Sequence, residues 1–178
     1  MKRILTFTNQ KGGVGKTTSA LNVAAELSRN GNKVLLIDVD PQGNLSKSLL
    51  PKDPESLKHT IFTLFLRECT LEDTLLKVRE NLTLLPCNKR MAKFEQEFAS
   101  SADGVYILTD LLEFIHKQWK EKFDFVVIDT PPALGLITVN AFVASQEVFI
   151  PMHAQQYSVD GLKSVLEVIE TVQKRANK

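Results

Sequence analysis

The spacing of apolar residues changes repeatedly along the chain, and these changes predict strands that alternate with helices. Short apolar runs predict strands at residues 4–8, 34–38, 82–85, 123–129 and 147–151. Two of the runs, VLLID and FDFVVID, end in an acid, and VLLID is continuous. Continuous runs are typical of parallel strands that other elements cover on both faces.

The segments between these runs have helical spacing, with apolar residues recurring every three or four positions. In the first of them, Ala20, Ala24 and Leu27 share one face, and the Asn30-Gly31 pair predicts the end of a helix that begins at Lys16. Further helices are predicted at residues 44–50, 59–66, 71–78, 89–99, 105–120, 137–144 and 158–174. The alternation predicts an α/β fold with a mainly parallel sheet flanked by helices on both faces, in one domain over residues 1–178.

Composition narrows the function classes without selecting one. The chain has 178 residues and a net charge of +1, which argues against a polycation that coats nucleic acid. Cys69 and Cys87 have no C-x-x-C spacing, so they predict free thiols in a reducing compartment rather than a zinc site. The N-terminal apolar run is too short for a signal peptide, and no run approaches the ~20 residues that span a bilayer. We therefore expect a cytoplasmic protein.

The segment NQKGGVGKTT, residues 9–18, joins the first predicted strand to the first predicted helix. It follows the phosphate-binding pattern G-x-x-x-x-G-K-[ST], except that Gln10 takes the place of the first glycine and Lys11 adds a charge. Backbone N–H groups at the start of a helix favour an anion, Lys16 is placed to reach a β- or γ-phosphate, and Thr17 is placed to bind Mg²⁺. A glycine-rich turn that only begins a helix is the alternative interpretation.

Three acids follow predicted strands. Asp38 and Asp40 lie in IDVDPQGN, and Asp129 lies in VVIDTPP. Ligands of open α/β sheets bind outside the carboxyl ends of the strands, where these acids are expected. A site for Mg²⁺ and a polyphosphate needs carboxylates near the metal and a group that orients a water molecule. Taken singly, each acid is also typical of a helix cap or a turn.

Four segments together resemble the ParA family of ATPases, in the deviant Walker A group of P-loop NTPases that also includes MinD. They are KGGVGKTT, LLIDVDPQGN, VVIDTPPALG and IPMHAQQYSVDGLKSV, in that order along the chain. The resemblance covers essentially the whole chain and implies ATP and Mg²⁺ as cofactors. It also implies the P-loop NTPase fold, although family members usually continue past the segment matching residues 158–178 with further strands that this chain lacks.

The resemblance assigns roles to the candidate residues. Lys11 would reach the nucleotide of a second subunit, Lys16 would bind β- and γ-phosphate, and Asp40 would position the attacking water; these three form the predicted catalytic set. Thr17 would bind Mg²⁺, while Asp38 and Asp129 would hold metal-bound waters. The implied nucleotide-binding residues are Lys11, Gly12, Gly13, Val14, Gly15, Lys16, Thr17 and Thr18.

By the same resemblance, the chain would be a DNA-partitioning ATPase that forms a homodimer with ATP and hydrolyses it slowly when a ParB-like protein activates it. Non-specific DNA binding is implied for the complete protein, through a C-terminal part that also normally contacts adenine. The alternative is a related ATPase that positions a protein or acts on a membrane surface, and a small-molecule synthetase is a third class. His59, His116 and His153 do not cluster and are interpreted as structural or surface residues.

Overall fold

The computed structural model describes residues 3–119, 122–153 and 158–176. The strands are β1 (Arg3–Phe7), β2 (Val34–Asp38), β3 (Leu76–Arg79), β4 (Leu82–Leu85), β5 (Phe125–Asp129) and β6 (Glu147–Phe149). The α-helices are α1 (Lys16–Arg29), α2 (Asn44–Leu49), α3 (Ile61–Phe65), α4 (Leu71–Thr74), α5 (Phe94–Phe98), α6 (Ile107–Gln118), α7 (Leu136–Ala144) and α8 (Ser158–Arg175). Short 3-10 helices lie at Pro54–Ser56 and Lys89–Lys93.

The strands form one sheet in the order β3-β4-β2-β5-β1-β6. Strand β1 pairs in parallel with β5 and β6, and β2 pairs in parallel with β4 and β5. Only β3 runs antiparallel among the described strands, at the edge beside β4. The predicted α/β fold with a mainly parallel sheet is confirmed. Because these strands are parallel, their carboxyl ends lie at the same edge of the sheet.

Helices cover both faces of this sheet, as predicted. Alternate residues of β2 show the division: Leu35 and Ile37 pack in the cluster that contains α3, α6 and α7, while Val34 and Leu36 pack in the cluster that contains α1 and α2. Helix α8 packs against α7 through Val165 and other apolar residues. Because every residue of β2 is buried, the continuous apolar run VLLID is explained by its central position in a covered sheet.

The predicted helix at 71–78 is wrong over its second half. Helix α4 stops at Thr74, and residues 76–79 form the antiparallel strand β3. A capping box between Thr70 and Asp73 begins the helix, but the next residue, Leu75, is extended at φ −76 and ψ 118. Asn81, at φ 60, turns the chain back so that β3 pairs with β4. Pairing with a neighbouring strand overrides a helical pattern this short.

Other predicted elements are present but shorter or divided. The predicted helix at 89–99 becomes the 3-10 helix Lys89–Lys93 followed by α5, because the Asn88 side chain accepts from Arg90 N and caps a tight turn. The helix predicted at 105–120 starts at Ile107 and ends at Gln118, and residue 120 lies outside the described residues. No helix within the described ranges is long and apolar enough to cross a membrane.

Candidate nucleotide-binding site

The sheet brings the predicted loop and two of the predicted acids to one edge. Asp38 and Asp129 are the last residues of β2 and β5 and stand opposite each other in the parallel register. Phe7, the last residue of β1, pairs with Asp129 on the other side, so the loop that follows β1 starts beside this acid. Motifs that are far apart in the sequence therefore meet because three adjacent parallel strands end together.

The loop has the backbone conformation that its glycines predict. Gly13 and Gly15 have φ values of 74° and 88°, in the left-handed region that other residues rarely adopt, and Gly15 directly precedes α1. A Cβ atom added at either position would meet no described atom within 4 Å. Glycine is therefore required for the backbone turn, and the space above the loop stays open for a ligand.

A cavity of about 450 Å³ lies above this loop. It is lined by Gly12, Gly13, Gly15, Lys16, Thr17, Thr18, Asp40, Gln42, Asn44 and Pro132. Six of the eight predicted nucleotide-binding residues are in that set. The cavity volume is within the range of small-molecule sites. The lining combines the start of α1, which carries the Lys16 ammonium and the hydroxyls of Thr17 and Thr18, with the carboxylate of Asp40.

Asp129 and Thr17 form the part of the site that fits a metal ion. Thr17 Oγ1 donates to Asp129 Oδ2 at 2.6 Å, while Asp129 Oδ1 is buried and has no hydrogen-bond partner among the described residues. The pKa of Asp129 is raised to about 7, mainly by burial and also by the negative charges of Asp38 and Asp40. The hydrogen bond from Thr17 opposes this rise because it stabilises the ionised carboxylate. An unpaired carboxylate oxygen beside a threonine hydroxyl is the donor set that Mg²⁺ prefers, and a cation there would neutralise the acid.

A metal ion at this site would have few protein ligands. Within the described ranges, no group of three or more His, Cys, Asp or Glu side chains could hold a metal ion. Magnesium usually keeps several waters and binds through one or two protein groups together with substrate phosphates. The Thr17–Asp129 pair is therefore compatible with Mg²⁺ held together with a polyphosphate, and not with an all-protein cage.

Asp38 occupies a different environment from Asp129. Its Oδ2 accepts from Ser46 N at 2.9 Å and from Ser46 Oγ at 2.8 Å, and its Oδ1 accepts from Asp40 N at 3.1 Å. It is fully buried and is not one of the ten described residues that line the cavity. Burial raises its pKa to about 6, although these hydrogen bonds oppose the rise. The role of Asp38 toward metal-bound water stays a prediction.

Asp40 lines the cavity on a tight turn. Its Oδ1 accepts from Gln42 N at 2.9 Å, and its carbonyl accepts from Gly43 N at 2.8 Å. Gly43 has a φ of 60°, and a Cβ there would lie 3.1 Å from the carbonyl oxygen of Cys87. Glycine at 43 is thus required twice, by its backbone conformation and by the close neighbour. The turn fixes the position of the Asp40 carboxylate in the cavity lining.

The two loop lysines face different surroundings. Lys16 is buried, with 8% exposure, and its Nζ donates to the carbonyl of Lys11 at 3.4 Å. Burial lowers the pKa of Lys16, while the charges of Asp129 and Asp40 raise it. Lys11 is exposed and does not belong to the described cavity lining. The exposed position of Lys11 is compatible with contact to a second subunit.

Three residues near the loop were not predicted from the sequence. Ser46 holds Asp38, Asn9 accepts from Lys11 N at 2.9 Å, and His153 Nε2 lies 3.1 Å from the carbonyl oxygen of Gly13. His153 was interpreted as a structural or surface residue. Its place beside Gly13 follows from the pairing of β6 with β1, for which the sequence carries no local signal.

The two cysteines are free thiols, as predicted. Cys69 and Cys87 are both free, and Cys87 is fully buried. The predicted stretch QQY, residues 155–157, lies outside the described residues.

Sequence comparison places the chain among known proteins. Residues 2–178 match an AAA domain family. The chain is 35% identical to the sporulation initiation inhibitor protein Soj of Bacillus subtilis over 178 residues, which is 99% of this chain and 68% of Soj. It is 36% identical to the chromosome partitioning protein ParA of Caulobacter vibrioides over 176 residues, which is 98% of this chain and 65% of that protein. The chain thus spans about two thirds of the length of these relatives.

Two solved structures with the same fold contain a bound nucleotide. The cobyrinic acid a,c-diamide synthase of Mycobacterium smegmatis, solved with ADP and magnesium, has a TM-score of 0.91 and 36% identity, covering 99% of this chain and 70% of that one. A plasmid partition protein of Borrelia burgdorferi bound to AMPPNP has a TM-score of 0.84 and 31% identity, covering 97% and 71%. With the loop geometry, the four motifs and this similarity over nearly all of its length, the chain belongs to the ParA family of P-loop ATPases.

Proposed function

We propose that the chain is the nucleotide-binding part of a DNA-partitioning ATPase, which binds Mg-ATP, forms a homodimer in the ATP state and hydrolyses ATP slowly. The observation that carries this proposal is the meeting of Lys16, Thr17 and Asp40 around one cavity beside the unpaired oxygen of Asp129. The names of the relatives, chromosome partitioning protein and plasmid partition protein, support the biological role.

Each residue has a defined task in binding. The loop N–H groups and the Lys16 ammonium bind the phosphates, because both are donors aimed into one open space. Thr17 and Asp129 would hold Mg²⁺, with Asp38 fixing the neighbouring turn. When bound, Mg²⁺ supplies positive charge that stabilises the negative charge on the phosphate oxygens.

Asp40 is the candidate for orienting the attacking water. It lines the cavity, and the bond from Gln42 N fixes one carboxylate oxygen in place. A fixed acceptor aligns a water for attack on the γ-phosphorus, which is how phosphoryl-transfer sites gain most of their rate. Removal of this carboxylate should therefore slow hydrolysis while leaving ATP bound.

Lys11 is proposed to act between subunits. Lys11 is exposed in the loop, where a facing subunit that holds its own triphosphate would meet its side chain. Two facing phosphate sites repel each other, and a lysine donated from each side offsets that repulsion only while the triphosphate is present. If the Lys11→Ala chain still dimerised with ATP, this mechanism would be wrong.

The DNA and protein partners belong to the complete protein in this proposal. A dimer that binds duplex DNA without sequence preference, and a ParB-like activator that speeds hydrolysis, would place the protein on the nucleoid in the cytoplasm. Duplex binding that falls steeply with salt separates this role from that of a related positioning ATPase, since phosphate contacts depend on salt.

A small-molecule synthase is the second candidate function, because a structure with this fold and 36% identity is named cobyrinic acid a,c-diamide synthase. Such an enzyme would hydrolyse ATP faster in the presence of its small-molecule substrate. Duplex DNA would not change that rate. Measuring ATP turnover with cobyrinic acid, and separately with duplex DNA, distinguishes the two functions.

The first experiment is the molar mass of the Asp40→Ala chain by light scattering, with Mg-ATP and then with Mg-ADP. A dimer with ATP and a monomer with ADP would support the nucleotide-dependent homodimer. A monomer in both conditions, with ATP still bound, would contradict dimerisation of this chain. Asp103→Ala, which removes an exposed acid outside the cavity, is the matched control and should behave as the unaltered chain does.

A further inference from the structure

The phosphate loop is attached by side-chain bonds to the segment that follows β6, Pro151–His153. Asn9 Nδ2 donates to the carbonyl of Pro151 at 2.8 Å, and His153 Nε2 lies 3.1 Å from the carbonyl of Gly13. A carbonyl only accepts, so His153 carries its proton on Nε2 in this contact. The two bonds flank the loop, one at its start and one at its glycines.

Both polar atoms of the Asn9 side-chain amide form hydrogen bonds. While Nδ2 reaches Pro151, Oδ1 accepts from Lys11 N at 2.9 Å, which closes a turn of two residues within the loop. The carbonyl of Lys11 in turn accepts from Lys16 Nζ at 3.4 Å. Asn9 is only 8% exposed, so few waters compete for these bonds. One buried side chain thus links the segment after β6 to the backbone between the two lysines.

The start of helix α8 lies near the same loop. A Cβ atom placed on Gly161, in the first turns of α8, would lie 3.9 Å from Oε1 of Gln10. Below the loop, Thr8 N donates to Phe149 O at 3.0 Å and the Phe7 and Phe149 rings stack at 5.1 Å. Phe149, Pro151 and His153 therefore contact the end of β1 and the phosphate loop, and Gly161 of α8 lies beside Gln10.

We propose that Asn9 and His153 are positioning residues that fasten the phosphate loop to the segment after β6, so that nucleotide binding at the loop is transmitted to α8. The inference rests on the proposed nucleotide site and names a regulatory connection of that site. A loop held at two points is preorganised for phosphate, and a ligand that orders the loop also orders the segment attached to it.

The test measures MgADP affinity by calorimetry and amide hydrogen exchange in residues 158–176 with and without MgADP. Asn9→Ala should weaken MgADP binding about fivefold, as expected for the loss of a partly buried hydrogen-bond pair, and His153→Ala about threefold. MgADP should slow exchange in α8 of the unaltered chain but not in α8 of these variants. His153→Gln, which keeps a side-chain N–H donor, should restore both properties.

Two further variants separate positioning from general loosening. Asn9→Ser keeps an oxygen that can accept from Lys11 N but cannot reach Pro151, so it should lose the α8 response. Gln146→Ala is the matched control: Gln146 Oε1 accepts from Ile4 N at 2.7 Å and joins the same two strands at their opposite end. It should leave MgADP affinity and the α8 response unchanged.

The outcomes distinguish this inference from the proposed function. If the unaltered chain does not bind MgADP, the proposed function and this inference are both overturned. If it binds MgADP and Asn9→Ala behaves like Gln146→Ala, only the inference is overturned. Equal slowing of α8 exchange in the unaltered chain and in Asn9→Ser would also overturn it. His153→Ala and His153→Gln give the answer if Asn9→Ala fails to fold.

Discussion

Asp38 and Asp129 end neighbouring parallel strands and face each other in register, yet the structure treats them differently. Both oxygens of Asp38 accept hydrogen bonds, from Ser46 and from the backbone of Asp40. Asp129 receives one bond from Thr17, and its second oxygen has no partner among the described residues. Position in the sheet makes both acids candidates, but only Asp129 has a buried oxygen without a partner among the described residues.

The difference separates two kinds of buried acid. A carboxylate whose oxygens are all paired holds local structure together, because removing it leaves several buried donors unpaired. A carboxylate with an unpaired buried oxygen lowers stability in the absence of a ligand and recovers that free energy when a cation or water binds. Substitutions at the two positions should therefore have opposite effects on the stability of the ligand-free protein.

The largest expected effect is on the pH dependence of stability at Asp129. The pKa of Asp129 in the folded protein, about 7, lies above its ordinary value of 3.8, so proton binding by Asp129 stabilises the folded state. This stabilisation is complete below about pH 4 and is lost as the pH rises through 7. Asp129→Asn does not titrate. Above pH 8 it should be more stable than the unaltered chain, by up to about 4 kcal/mol at ~1.4 kcal/mol per pKa unit.

Urea unfolding of the ligand-free protein at pH 4, 6 and 8 measures this effect. The gain from Asp129→Asn should be smallest at pH 4 and reach a plateau above pH 8. Asp103→Asn, on the exposed surface, should show no such trend. A gain that is the same at every pH would contradict the assigned environment of Asp129.

Asp38→Ala should act in the opposite direction. It leaves Ser46 N, Ser46 Oγ and Asp40 N without their acceptor in a fully buried region, which should cost about 2–4 kcal/mol of unfolding free energy. Thermal and urea unfolding at pH 4 measure the loss, because burial raises the pKa of Asp38 to about 6 and the folded acid then carries no buried charge whose removal would offset it. A stability equal to that of the unaltered chain would show that these bonds do not hold the turn.

Removing magnesium should weaken ADP binding through the loss of the cation held by Asp129. The unaltered chain should bind ADP about tenfold more weakly in EDTA than in Mg²⁺, because Thr17 and Asp129 then hold no cation between them and the phosphates. In Asp129→Asn, the affinity for ADP should be low and nearly independent of Mg²⁺. Calorimetry in the two buffers measures both; a full magnesium response in the variant would exclude Asp129 from the metal site.

The smallest expected effect is at Ser46. Ser46→Ala removes the hydroxyl bond to Asp38 and the bond that Ser46 Oγ accepts from Cys87 N, but keeps the backbone bond from Ser46 N. It should lower stability by about 1–2 kcal/mol. Its effect should largely disappear when Asp38 is already alanine, since the two residues share one network. Fully additive losses in the double variant would show that they act independently.

The sequence predicted the residues of the candidate site more accurately than the edge strand of the sheet. The strands that end in Asp38 and Asp129 were predicted because their apolar runs are continuous, and the loop was predicted because glycine, lysine and threonine have fixed tasks around phosphate. Strand β3 was missed, since LEDTLLKV fits a helical pattern until β4 offers it a partner. Asn9 and His153 were missed because their bonds join residues far apart in the chain.

The sequence by itself determined the element types of the central sheet, the phosphate loop, the set of acids near it and the family. These follow from local rules: the period of apolar residues, the backbone freedom of glycine and the chemistry of short motifs. The tertiary structure alone decided which acid keeps an unpaired oxygen, where the chain becomes an edge strand, and that the segment after β6 holds the phosphate loop. Each of these depends on which strands become neighbours, and that is set by packing of the whole sheet rather than by any one segment.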